Sequence, residues 1–461
     1  MNGVVERIEG KTLASIVTPL SEGGIGKIFV SGPDALSLVS KVFKGKKAAD
    51  LCEAGSRKLH YGYIYENGQR IDEVILHTLD KRDSFTGEDA VEINCHGGIR
   101  VVMRTYECLG ALGAEGVPWN NLLLQSLKNG KLDFVQKEAF QEIVGAPTKL
   151  GVKVLLDQYA GALSKALQTG LDIIEGIRRS CHSIAPSKEI SLRTGFKGED
   201  DAAVTALTDG IERLLATASF GMALTTPQTL VILGKPNVGK STIMNAILDE
   251  ERAIVHHEPG TTRDYVSECI SVSGIPFEIV DTAGIRDTSD VIESMSIEMT
   301  LEQLRRARKA LVVFDNARPF DREDKGILKA LDLWIAQESA DALQTGARVA
   351  IPVVNKCDLP ARFDRTMIES AIKQPVCNIS ALNKAGFEDV NKRLVQEFDT
   401  AYNPGRPVVF TGRQCQLLQD ARLLVKRETD CLARNDKSRR MLRVTEELQD
   451  IFVACLKGKP L

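Results

Sequence analysis

The stretch GKPNVGKS, Gly234 to Ser241, constrains this chain more than any other. It follows the apolar run TLVIL and leads into a segment of helical character, the strand, turn and helix that a phosphate-cradling loop requires. Glycines in such a loop let backbone N–H groups converge on an anion at a helix N-terminus. Lys240 then sets a point charge against the β and γ phosphates, and Ser241 offers a hydroxyl to magnesium. The expected binding set is Asn237, Val238, Gly239, Lys240, Ser241 and Thr242, with Lys240 also catalytic. The loop commits its surroundings to a doubly wound α/β fold from Gln228 to about Thr400. TLVIL, FEIVD, ALVVFD and VAIPVV are its strands, and helices are expected after Lys240, around Glu293, near Lys325 and after Gly386.

NKCD, Asn355 to Asp358, comes directly after VAIPVV and resembles the guanine-reading motif of G proteins. Asp358 can accept hydrogen bonds from the ring N–H and the exocyclic amine of guanine. Adenine would leave that carboxylate without partners, a discrimination on the order of 10⁴-fold in comparable polar sites. Asn355 and Lys356 share the motif, and SAL, Ser380 to Leu382, follows where a backbone amide can meet the guanine oxygen, with Ser380 and Ala381 in the binding set. PGTTRD, Pro259 to Asp264, falls where an effector loop carries a threonine to magnesium and the γ-phosphate; Thr262 is that threonine, with Thr261 beside it. Asp281 ends the FEIV strand and can hold magnesium through water, and Gly284 offers its amide to the γ-phosphate. The motifs stand in the order a guanine nucleotide hydrolase needs.

The rest of the 461 residues is ample for further domains, and 43% hydrophobic content supplies a core for each. The first ~115 residues mix ASIV, KIFVSG, EVILHTL and AVEINCHGG with two amphipathic stretches, a compact α+β pattern. From about Asn120 to Ala223 the spacing is helical, as in VKVLLDQYAGALSKALQTGLDIIEGI, with a polar loop near TGFKGEDD; helical spacing returns from Arg413 to Lys457. The α/β region is therefore expected as an insert in a split helical domain. A net charge of −3 argues against a generally basic, nucleic-acid-coating surface, so any RNA contact is local. Ten cysteines with no C-x-x-C pair suggest reduced thiols rather than a zinc ribbon or a disulfide framework. No run reaches the roughly 18 apolar residues of a membrane span, and MNGVVERIEGKTLASIV lacks the long apolar core of a secretory leader, so a cytoplasmic protein is expected.

Together these strings resemble the potassium-activated tRNA-modification GTPase family (MnmE, also called TrmE) over nearly the full chain. TPLSEGGIGKIFVSG and SFTGEDAVEINCHGG look like that family's folate-binding domain, NGKLDFVQKEA like the start of its helical domain, and GKPNVGKST, PGTTRDY and DTAGIRD like its inserted Ras-like G domain. The resemblance implies residues 1–118 as a folate-binding-like dimerisation domain, 119–222 and 403–461 as two parts of a helical domain, and 223–402 as the G domain. It further implies that the residue after DTAG, here Ile285, leaves the attacking water to a glutamate that maps to Glu293. A carboxylate near a helix start is also an ordinary dipole-stabilising residue. Asn237 matches the family's potassium-binding asparagine, and a turn-stabilising role is the other reading of it. The implied activity is GTP hydrolysis in a homodimer with K⁺ and Mg²⁺. It controls carbon-5 (carboxymethylaminomethyl type) modification of the tRNA wobble uridine, with an MnmG (GidA)-type flavoprotein and a tetrahydrofolate one-carbon donor.

Three departures stand against that pattern. The family usually ends in C-[IL]-G-K, whereas IFVACLKGKPL puts Leu456 at the cysteine position and Cys455 one residue early. On a helix that is a turn of about 100°. Cys455 is thus either the modification cysteine displaced or a buried small hydrophobe. VPWNNLLLQSLKNGKLD replaces an arginine-rich segment, keeping only Asn129, Lys131, Leu132 and Asp133, and Phe29 stands where relatives often have arginine. KSRRMLR with Lys457 and Lys459 is either a tRNA-facing helix surface or a solvated one, and His96 carries no assigned role. A diverged regulatory GTPase that has lost tRNA modification, and a folate-binding scaffold with incidental hydrolysis, are the alternatives.

Overall fold

A computed structural model of the chain describes residues 10–45, 51, 55–184, 198–251, 267–280, 301, 304–305, 307–336, 348–362, 364–398, 400–431 and 437–458. The chain divides into two compact units, residues 1–137 and 138–461.

In the first unit β1 (Leu13–Ile16), β2 (Ile25–Ser31), β3 (Phe43–Gly45), β4 (Lys58–Glu66), β5 (Gln69–Leu79), β6 (Ala90–His96) and β7 (Glu115–Gly116) form one sheet in the order β3-β4-β5-β6-β2-β1-β7. Neighbours run antiparallel except β1 and β7. Helices α1 (Ala35–Val42) and α2 (Ile99–Ala111) bury Leu38, Val39, Val102 and Leu109 against Ile28, Ile64, Leu76 and Ile93. Leu122 of α3 (Asn120–Lys128) packs instead with Leu13, Phe29 and Ala90. The strand β4 was not among those expected. It turns Leu59 and Tyr61 outward, 72% and 40% exposed, while Ile64 is buried, so both faces are apolar and the period-two contrast vanishes. The residues kept in the altered segment have work in this unit. Asn129 Nδ2 donates to the Thr86 carbonyl at 2.8 Å and Lys131 Nζ to the Arg82 carbonyl at 2.7 Å, fixing the SFTGED loop.

The second unit begins within α4 (Phe134–Gly145) and continues through α5 (Lys149–Tyr159), α6 (Ala162–Ile184), α7 (Gly198–Leu215) and α8 (Ala218–Thr225). The run VKVLLDQYAGALSKALQ, read as continuous, breaks at Ala160–Gly161, where Gly161 takes φ +96, a left-handed conformation that suits glycine after a helix. A sheet then intervenes before α13 (Gly412–Cys431) and α14 (Lys437–Lys457). α14 packs along α6, and α13 along α7 and α14, so helices from before and after the sheet share one layer. Arg413 ties them, with Nε and Nη2 on Glu138 of α4 at 2.8 and 2.7 Å and Nη1 and Nη2 on the carbonyls of Ala454 and Cys455 at 3.1 and 3.2 Å.

That sheet contains β8 (Gln228–Gly234), β9 (Ser267–Val272), β10 (Ile275–Val280), β11 (Lys309–Asp315), β12 (Val349–Asn355) and β13 (Cys377–Asn378), in the order β13-β12-β11-β8-β10-β9. All pairs are parallel except β9 with β10. Between strands lie α9 (Lys240–Glu251), α10 (Arg322–Ala336) and α11 (Thr366–Ile372), and α12 (Phe387–Val395) follows β13; the helix expected around Glu293 lies outside the described residues. β11 and β12 are almost wholly buried, which is why they read as unbroken apolar runs. One face packs on α10 through Leu331 and Trp334, the other on α9 and α12, and that second core continues into Val154 of α5 and Phe220, Ala223 and Leu224 of α8. Among the described residues no helix is long and apolar enough to cross a membrane.

Candidate nucleotide site

The site lies at the C-terminal ends of β8, β11 and β12, where the strand order turns from β10 on one side of β8 to β11 on the other. Open parallel sheets leave a crevice there, and α9 points its N-terminus into it. The loop from Gly234 to Gly239 is made of backbone that side chains rarely permit. Asn237 has φ +65 and Gly239 φ +100, and a Cβ on Gly239 would run into the Asn355 amide nitrogen. A cradle closed to a Cβ but lined with backbone amides fits an anionic ligand, and the residues present accordingly suit a nucleotide phosphate.

Lys240 Nζ donates to the carbonyls of Gly234 and Lys235, at 2.9 Å each, across the base of this loop. Burial lowers its pKa, and among the described residues no carboxylate pairs with it. Lys235, one residue into the loop, is opposite in kind. Its ammonium lies 2.7 Å from Asp321 and 2.8 Å from Asp324, at the start of α10. Burial disfavours that charge, but the two carboxylates outweigh it and raise the Lys235 pKa. Thus Lys235 braces the loop against α10, while the Lys240 charge is left for a ligand. Sequence reading passed over Lys235, Asp321 and Asp324; the only hint was an acidic helix start following ALVVFD.

Asn355 joins the two halves of the site. Its Nδ2 donates to the Val238 carbonyl at 2.9 Å, and its Oδ1 accepts the Ala381 N–H at 2.9 Å. The same side chain therefore fixes the phosphate loop and the SAL loop, and being 2% exposed it does so out of water's reach. Within SAL, the Ala381 amide is thus taken up by Asn355 here. Lys356, at φ +64, reaches back to the Asn237 carbonyl at 2.7 Å and to Asp315 at 2.6 Å. Asp358 is exposed at the mouth, with one oxygen accepting the Ser380 hydroxyl at 2.6 Å. Ser241 and Thr242 are exposed at the first turn of α9. Asn316 was also missed from sequence; its Nδ2 donates to the Leu359 carbonyl at 2.9 Å, holding the end of the NKCD turn.

The structure thus gathers Asn237, Val238, Gly239, Lys240, Ser241, Thr242, Asn355, Lys356, Asp358, Ser380 and Ala381 at one crevice. Thr261, Thr262, Asp281, Gly284 and Glu293 lie outside the described residues. Cys455 is elsewhere, in α14, 1% exposed, and burial pushes its thiol up to about 12. Here it packs as a small buried side chain, and burial favours its protonated form.

Comparison with known proteins follows the same division. The family described as "GTP-binding protein TrmE N-terminus" matches residues 12–116, and the family described as "50S ribosome-binding GTPase" matches residues 229–356. A tRNA modification GTPase MnmE of Alkaliphilus metalliredigens is 34% identical over 397 residues, 84% of this chain and 81% of that one. The protein of the same name from Lactiplantibacillus plantarum is 33% identical over 427 residues, covering 90% and 87%. That from Carboxydothermus hydrogenoformans is 35% identical over 395 residues, covering 84% and 81%.

Proposed function

Because the chain belongs to the family of tRNA modification GTPases named MnmE, we propose that its GTP hydrolysis is potassium-promoted and controls carbon-5 modification of the tRNA wobble uridine. The chain is a GTP hydrolase. The observation that carries the reading is the Asn355 bridge, which locks a phosphate loop and a base-reading loop into one pocket. A pocket so joined selects a whole guanine nucleotide, since neither half can be set without the other.

The division of labour follows from the residues. Lys240 holds the β and γ phosphates, Asp358 reads the base, Ser241 and Thr262 hold magnesium with Asp281 behind a water, and Gly284 donates its amide to the γ-phosphate. Asn237 holds potassium, and Glu293 orients the attacking water where Ile285 cannot. When bound, the two cations neutralise charge developing between the β and γ phosphates. The proposed parts are residues 1–118 (folate-binding-like and dimerising), 119–222 with 403–461 (helical) and 223–402 (G domain). The working assembly is a cytoplasmic homodimer with a flavoprotein partner of the MnmG (GidA) type, tRNA and a tetrahydrofolate one-carbon donor.

Hydrolysis measured in potassium and in sodium tests the mechanism: turnover is expected to be much faster in potassium, and equal rates sink it. Glu293→Ala is expected to keep GTP affinity and lose turnover by about 100-fold, the scale of a lost general base or water-positioning group. A variant that turns over like the parent removes Glu293 from the mechanism.

The buried Cys455 favours a second reading, a diverged regulatory GTPase without the modification step. Mass analysis of wobble uridine from cells lacking the chain decides between them. Unmodified uridine supports the modifier, and fully modified uridine supports the regulator.

A further inference from the structure

The β9–β10 hairpin ends in a two-residue turn, Ser273 at φ +51 and Gly274 at φ +87, flanked by the pair Val272 and Ile275. Both residues are left-handed, as the tightest hairpin turns require. This turn is docked on the first turn of α5. Thr148, the N-cap of α5, accepts the Gly151 N–H at 3.1 Å and donates its own hydroxyl to the Gly274 carbonyl at 2.7 Å. Leu150 closes over the same point: a Cβ on Gly274 would lie 2.6 Å from Leu150 Cβ and Cδ2. Leu150 and Val154 of α5 pack into the core that holds Ile270, Val272, Ile275 and Phe277 of the hairpin.

In sequence, the open end of the hairpin adjoins the segments that the proposed hydrolysis needs. β9 starts at Ser267, just after PGTTRD, and β10 ends at Val280, immediately before Asp281. Its inner strand β10 is paired to β8 from Gln228 to Val231, and β8 leads into the phosphate loop. Among the described residues β9 is the edge strand of the sheet. Strands are stiff along their length, so the seat of the turn sets how far the other end extends.

We infer that Thr148 and Leu150 are positioning residues for GTP hydrolysis. They fix the closed end of the hairpin, and with it the seating of β10 on β8, the strand that leads into the phosphate loop. Because the turn is held on α5 by the Thr148 hydrogen bond and Leu150, a rearrangement of the hairpin with nucleotide state is expected to be felt at α5. The inference rests on the hydrolysis reading above, and its test is chosen to fail separately.

Hydrogen–deuterium exchange of α5 amides in the full-length chain, with GDP and with a non-hydrolysable GTP analogue, reads the joint directly. Exchange is expected to differ between the two states in the parent and in Thr148→Ser, which keeps both hydrogen bonds. The difference is expected to vanish in Thr148→Val, which keeps the shape and removes them. Turnover of Thr148→Val should fall about fivefold with nucleotide affinity within about twofold, and Thr148→Ser should restore it. Identical α5 exchange in the two states of the parent overturns the inference without any variant. So does a Thr148→Val chain that melts earlier yet turns over at the parental rate, which marks Thr148 as a helix cap alone. Equal rates in sodium and potassium would strike the hydrolysis mechanism instead, leaving the exchange comparison to judge the joint.

Discussion

Lys240→Ala is expected to lower GTP turnover by about 10³-fold, at the upper end of what one preorganised electrostatic group supplies. The size follows from how the ammonium is held. Its Nζ is strung between the Gly234 and Lys235 carbonyls at 2.9 Å each, so it is already aimed across the loop and spends no reorganisation when charge develops. Burial lowers its pKa, and no carboxylate among the described residues shares its charge. A phosphate is the partner it lacks. Lys235, paired with Asp321 and Asp324, cannot substitute because its charge is already spent within the protein. Single-turnover hydrolysis at saturating GTP checks this, and a loss of less than tenfold would show that the loop backbone carries the charge stabilisation by itself.

The second large effect is on base choice. Asp358→Asn should weaken GTP by roughly 10³- to 10⁴-fold, because a carboxamide presents a donor to the guanine N–H groups that the carboxylate accepted. The same donor suits the additional carbonyl of xanthine, so xanthosine triphosphate should gain what GTP loses. The geometry keeps the change local. Asp358 uses one oxygen on the Ser380 hydroxyl at 2.6 Å, and an asparagine oxygen can still accept that bond, so the SAL loop stays in place. Competition binding with the two nucleotides reads the exchange. GTP affinity unchanged in the variant would mean that Asp358 does not face the base.

Most of the nucleotide crevice was legible because its chemistry is local. A phosphate loop, its strand and its helix are contiguous, and the almost wholly buried β11 and β12 leave unmistakable apolar runs. What escaped notice depends on contacts between distant segments. Lys235 looks like any loop lysine until Asp321 and Asp324 are brought beside it, and nothing local distinguishes Asn316 from a turn residue. The edge strand β9 and the aromatic strand β4 were missed for a different reason. The first is six residues long, and Glu268 stands in the apolar series with Ile270 and Val272, leaving too short an alternation to register; the second carries apolar residues on both faces, which blurs the two-residue period. The break at Gly161 was misread because periodicity survives a sharp bend when both helices bury the same side.

The pairing of α6 with α14 has a consequence for how the protein is made. α6 buries Ile174, Ile177 and Cys181, while Leu448, Ile451 and Phe452 are buried on α14, with Phe452 against Gly170. A ribosome adding about 5–20 residues per second delivers the later helix some 15–55 s after the earlier one. Throughout that interval the apolar seam of α6 waits in a nascent chain that has already released a whole sheet. Chaperone capture during synthesis, and aggregation of chains truncated before α14, are where this architecture is vulnerable.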